Sequence, residues 1–77
     1  MNKAKRKWLT DIITKLEEQK SELENVRNEE QDAFDNMPEG LQESDRGQTV
    51  SENIDELDSA ISNLEDIISE IQEVIDK

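Results

Sequence analysis

Carboxylates are the only reactive groups in quantity: 21 aspartates and glutamates stand against nine lysines and arginines, and histidine, cysteine and tyrosine are all absent. Proton transfer near neutrality falls mostly to imidazole, and covalent catalysis to an activated thiol, hydroxyl or amine. That leaves paired acids. Two carboxylates divide into acid and base only where burial or crowding drives their affinities for the proton apart. Nothing in the sequence marks a pocket deep enough to do so, and the expectation is a noncatalytic protein with no catalytic residues.

Metal and cofactor chemistry fares no better. Zinc sites draw on histidine and cysteine. Di-iron bundles use glutamate followed three residues later by histidine, which cannot occur here. The acidic run Asp55-Glu56-Leu57-Asp58 lacks the alternating oxygen ligands, central glycine and closing glutamate of a calcium loop. No metal and no cofactor is expected.

Charge leaves binding as the remaining chemistry. Residues 1–20 carry six basic and three acidic side chains, net +3, whereas residues 21–77 carry three basic and eighteen acidic, net −15. Lys3, Lys5, Arg6 and Lys7 precede Leu9, Leu16 and Leu23 as a basic region precedes a zipper. Four charges on so acidic a body are too few to hold phosphate, so no direct nucleic-acid binding is expected. The acids themselves, Asp55, Asp58, Glu65, Asp66 and Glu73 with Glu17, Glu18, Glu22, Glu24 and Glu29, form a stripe that either solubilises the chain or imitates nucleic-acid phosphate. Trp8 and Phe34 each allow two readings, a plug within the fold or an anchor for a partner.

These side chains must be held by helices. From Leu9 onward, positions 9, 12, 16, 19, 23, 26, 30, 33 and 37 advance in alternating steps of three and four, one helical seam flawed at Gln19 and Glu30 and widened at its ends by Trp8, Ile13 and Phe34. A cleaner seam follows at Val50, Ile54, Leu57, Ile61, Leu64, Ile68, Ile71 and Ile75, widened by Ala60, Ile67 and Val74. Between them lie the only proline and both glycines, Pro38, Gly40 and Gly47, which break helix. Pro38 can itself open a short helical turn. Thr49 and Glu52 have the spacing of a capping box. The expected organisation is one domain, residues 1–77: helix one about 6–36, connector about 37–48 and helix two about 49–76, with an earlier start of helix two at Ser44 also open.

Rods of similar length, about 40–47 Å at ~1.5 Å per residue, should fold back as an all-α antiparallel hairpin resembling a coiled coil. In that arrangement Lys3 to Lys7 would lie beside Glu70, Glu73 and Asp76. So short a chain seldom draws more than about 3–5 kcal/mol from its own core. With disulfides and zinc excluded, self-association into a four-helix bundle is expected, a homodimer or higher homo-oligomer with Ile54, Leu57, Ile61, Leu64, Ile68 and Ile71 as its seam. No run approaches the ~18 apolar residues of a membrane span, and the N-terminus lacks a signal-peptide core; no membrane partner and a cytoplasmic location are expected.

The connector string Asp35-Asn36-Met37-Pro38-Glu39, with Leu41-Gln42, Ser44 and Arg46-Gly47, between a lysine-rich start and an acidic second helix, resembles small acidic helical proteins of tailed bacteriophages and prophages of Gram-positive bacteria. The resemblance implies a viral source and action in the host cell cytoplasm; it brings no established activity. Small acidic phage proteins include inhibitors of host defence and of nucleic-acid enzymes, so the expected function is a module that binds a host or viral protein and modulates it. A structural or assembly module and an acidic nucleic-acid mimic are the alternatives. Phe34, Met37, Leu41 and Arg46 at the loop end, with Asp58 and Glu65 on the rod, are the candidate partner-binding residues.

Overall fold

The computed structural model describes all 77 residues as three helices: α1 (Lys3–Asp35), α2 (Glu39–Gln42) and α3 (Asp45–Asp76). The long helices α1 and α3 pack against each other as an antiparallel hairpin, a rod measuring 58 × 15 × 12 Å. No helix is long and apolar enough to cross a membrane.

Local chemistry sets the helix ends. Asn2 caps α1, its Oδ1 accepting the Lys5 amide at 2.8 Å, one of the four amides that a helix start leaves without intrahelical partners. At the other end Pro38, unable to donate an amide hydrogen bond, stops α1 and opens α2: its carbonyl accepts the Leu41 and Gln42 amides at 2.9 and 3.0 Å. The second long helix begins earlier than the expected residue 49. Ser44 is its cap, the hydroxyl accepting the Gly47 amide at 3.3 Å. Thr49 lies inside the helix, its hydroxyl donating to the Asp45 carbonyl at 3.0 Å. Thr49-x-x-Glu52 is therefore no capping box, and the connector shrinks to residues 36–44 around α2.

The α3 seam is the one expected from its spacing. Val50, Leu57, Ile61, Leu64, Ile68, Ile71 and Ile75 are half-buried and Ile54 is buried. Because α1 packs along them, this seam lies between the two long helices of one hairpin. The α1 seam differs from expectation in every second position. Residues turned toward α3 are Leu9, Ile13, Leu16, Lys20, Leu23, Arg27, Glu30 and Phe34, whereas Gln19, Val26 and Ala33 are exposed and Ile12 is half-buried. Both series advance by threes and fours; the observed one is rotated so that Ile13 and Phe34 replace Ile12 and Ala33 against α3, and Arg27 and Lys20 meet acids on α3.

Arg27 Nε donates to Asp58 Oδ1 at 2.8 Å, and Lys20 Nζ lies 3.4 Å from Glu65 Oε1. Each pair of residue numbers adds to 85, which fixes the register along the whole rod. Asp76, the last residue of α3, then falls opposite Leu9. Lys3 to Lys7 consequently project beyond α3, and none of them forms an ion pair with Glu70, Glu73 or Asp76; Lys7 bridges Asp11 on its own helix at 3.3 Å. Trp8 on this overhang is 69% exposed and plugs nothing.

The core is a thin ribbon. Ile13 toward the free ends and Ile54 toward the loop are the only buried apolar side chains, at 7% and 6% exposure, and no side chain is completely enclosed.

Candidate protein-binding surfaces

Three surfaces emerge from this scaffold. The first is the loop end, where α2 folds across the top of the hairpin. Gln42 Nε2 donates to the Phe34 carbonyl at 2.8 Å, joining the Met37 amide at 3.1 Å on one of the carbonyls that has no partner within α1. The Ser44 hydroxyl donates to the Leu41 carbonyl, while the Glu43 and Ser44 amides donate to Glu39 and Leu41 at 3.3 and 3.1 Å. Gly47 is buried directly beneath: a Cβ there would sit 2.5 Å from the carbonyl carbon of Gln42 and from the Leu41 oxygen. Helix α3 thus touches the connector backbone, an approach that only glycine permits.

Among the expected recognition residues, this arrangement divides the four at the loop. Phe34 and Met37 are half-buried in the hairpin end, whereas Leu41 and Arg46 stand exposed. Arg46 makes no ion pair with Asp35 or Glu39. Arg46 is exposed, as are Glu39, Glu43 and Asp45 of the same end of the rod.

The second surface runs along the charged flank. Asp58 and Glu65 are engaged with Arg27 and Lys20, and Lys20 also lies 3.9 Å from Glu24. The Arg27 contact is two-pronged, with Nη2 reaching Asp58 Oδ2 at 3.4 Å. Lys20 and Arg27 were not read as site residues from apolar periodicity, yet a signal existed: two cations seven residues apart on α1 match two acids seven apart on α3. Long aliphatic stems let such cations lie in a seam with their heads at its edge. Removing the pair is expected to expose a coupling of about 0.2–1 kcal/mol, the usual worth of partly exposed ion pairs. A double-mutant cycle of Arg27→Ala and Asp58→Ala in urea should show that coupling shrinking as salt is raised; a salt-independent value would contradict an electrostatic origin.

The opposite flank is apolar. Ile12, Gln19, Val26 and Ala33 from α1 run beside Val74, Ile67, Ala60 and Asn53 from α3, each facing pair adding to 86 in residue number. Val26 is 49% exposed and Ile67 46%. Near the loop this flank dips into an open groove of about 550 Å³ lined by Val26, Glu30, Asn53, Glu56, Leu57 and Ala60.

Chemically these surfaces offer charge, hydrogen bonds and apolar contact. No group of three or more carboxylates is drawn together in a way that could hold a metal ion. A scan of family models finds no match to the chain, and searches of the curated proteins and of the solved structures find none either.

Proposed function

We propose that the chain is a noncatalytic, phage-type binding module that acts in the host cytoplasm and modulates a host protein, a defence or nucleic-acid enzyme, through its loop end. The observation that carries this reading is the order of that end. A connector tied down by Gln42, Ser44 and Gly47 presents Leu41 and Arg46 from an ordered backbone, and recognition loops work best when rigid elements hold them. Preorganisation spares the entropy that a floppy loop would lose on binding. Apolar contact from Leu41, directionality from Arg46 and a carboxylate rim form the usual anatomy of a small interface.

The reading as a nucleic-acid mimic draws on the same acids but is weakened by the pairing of Asp58 and Glu65, whose charge is partly spent on Arg27 and Lys20. A clean comparison uses Leu41→Ala and Arg46→Ala against the double reversal Asp55→Lys and Asp66→Lys, since neither of those acids is paired. With a partner captured from bacterial lysate, and helicity verified for each variant, the loop substitutions are expected to weaken binding by about tenfold or more, as hot-spot truncations do. Undiminished binding by both loop variants, with loss in the reversal, would transfer the function to the acidic rod.

A further inference from the structure

We infer that the apolar flank is covered by a second copy of this chain, packed antiparallel so that the basic overhang of each hairpin lies against the acidic loop end of the other. This association is independent of the loop-end reading and uses a different surface.

The flank calls for a cover on energetic grounds. Ile12, Val26, Ala33, Ala60, Ile67 and Val74 form two adjacent rows along the rod, while only two apolar side chains are buried inside the hairpin. A thin two-helix rod with so little interior gains from a second apolar layer. The two rows run from Ile12 to Ala33 and from Asn53 to Val74, about 32 Å at ~1.5 Å per residue, so on a rod 15 Å wide they supply about 500 Å² of the ~800 Å² per partner that a stable interface covers, and the overhang and loop end supply the rest. Two such faces together make a four-helix bundle with a central core.

Charge selects the occupant and its direction. The register divides the rod into a terminal half, residues 1–20 with 65–77, of net charge −1, and a loop half, residues 21–64, of net charge −11. Parallel packing would place two halves of −11 side by side. Antiparallel packing sets each loop half against a terminal half that is nearly neutral and ends in Lys3, Lys5, Arg6 and Lys7. Lys3, Lys5 and Arg6 are available because they project past α3 and find no acid there, while Lys7 is shared with Asp11 on its own helix. Trp8 travels with them, exposed and close to the flank, and would meet the partner near its connector. A two-fold axis across the rods generates this arrangement with identical contacts on both copies.

Two measurements test it. Sedimentation equilibrium at tens of micromolar should give twice the 8.9 kDa chain mass, and Ile67→Glu should abolish that species whether the released monomer is folded or not. A nitroxide on Ala4→Cys, on the exposed overhang, should report an inter-label distance on the order of 50 Å by electron–electron double resonance, given the length of the rod; parallel copies would place the labels within roughly 25 Å, about two helix diameters. A cooperatively folded monomer, a dimer indifferent to Ile67→Glu, or the short distance would each overturn the inference.

Discussion

Ile54→Ala is expected to cost about 2–5 kcal/mol, the range for removing a buried branched side chain with incomplete collapse of the space it leaves. A chain of this size has only about 3–5 kcal/mol to lose, so the variant should be largely unfolded near 37 °C. Ile54 is chosen because it is 6% exposed. Ile61 and Leu64, at the middle of the seam, are only half-buried, and alanine there should cost less than the same 2–5 kcal/mol range, which full burial would give. Thermal melts by circular dichroism at one fixed chain concentration would rank the three, with concentration held constant because association between copies makes a midpoint concentration-dependent. A melt of Ile54→Ala that overlays the parent would place the core elsewhere.

Gly47→Ala should destabilise the hairpin by about 1–3 kcal/mol, the usual cost of forcing atoms into a filled space. The sign is what makes this informative. Alanine is the better helix former by about 1 kcal/mol, and Gly47 has ordinary helical geometry without a positive φ, so propensity alone calls for stabilisation. Crowding reverses it, because the atoms in the way are backbone atoms of Leu41 and Gln42 rather than a side chain that can swing aside. Gly40 is the built-in control: nothing lies within 4 Å of its missing Cβ, and Gly40→Ala in α2 should be neutral or gain up to about 1 kcal/mol. Urea denaturation of the two variants decides it. A stabilised Gly47→Ala would mean that α3 does not press on the connector.

The helical hairpin and the α3 seam were legible because eight consecutive seam positions, Val50 to Ile75, are all apolar, and only one helical face can hold them. Helix α1 was harder for a definite reason. Leu9, Leu16, Leu23 and Glu30 belong equally to two seams, and the choice between Val26 and Arg27, or Gln19 and Lys20, turns on partners in another segment. Hydrophobicity favours Val26 at that position, whereas Arg27 and Lys20 meet Asp58 and Glu65, and the same rotation turns Phe34 inward in place of Ala33. The start of α3 was left open between Ser44 and Thr49. Apolar periodicity begins at Val50, but the helix is capped five residues earlier than Thr49 by Ser44, in a polar turn whose helicity depends on Gly47 fitting beneath Leu41 and Gln42. At the loop end residue type alone left open whether Phe34 and Arg46 serve the fold or face outward; Leu41 and Arg46 stand exposed and Phe34 and Met37 are half-buried.

The two bridges between the long helices also answer a question that the seam itself leaves open. A row of isoleucines and leucines repeating every seven residues looks the same after sliding by one heptad, so apolar packing alone cannot tell the native alignment from its neighbours. Sliding one way sets Arg27 opposite Glu65 but Lys20 opposite the neutral Gln72; sliding the other way sets Lys20 opposite Asp58 but strands Arg27 against Ser51. Only one alignment matches both cations. Like the two scales of a vernier, they single out one coincidence among many near misses, and polar groups in an otherwise oily seam are known to impose such uniqueness at some cost in stability. Weak as each bridge is energetically, together they supply information: they let a very repetitive chain choose a single partner residue for every position along its length.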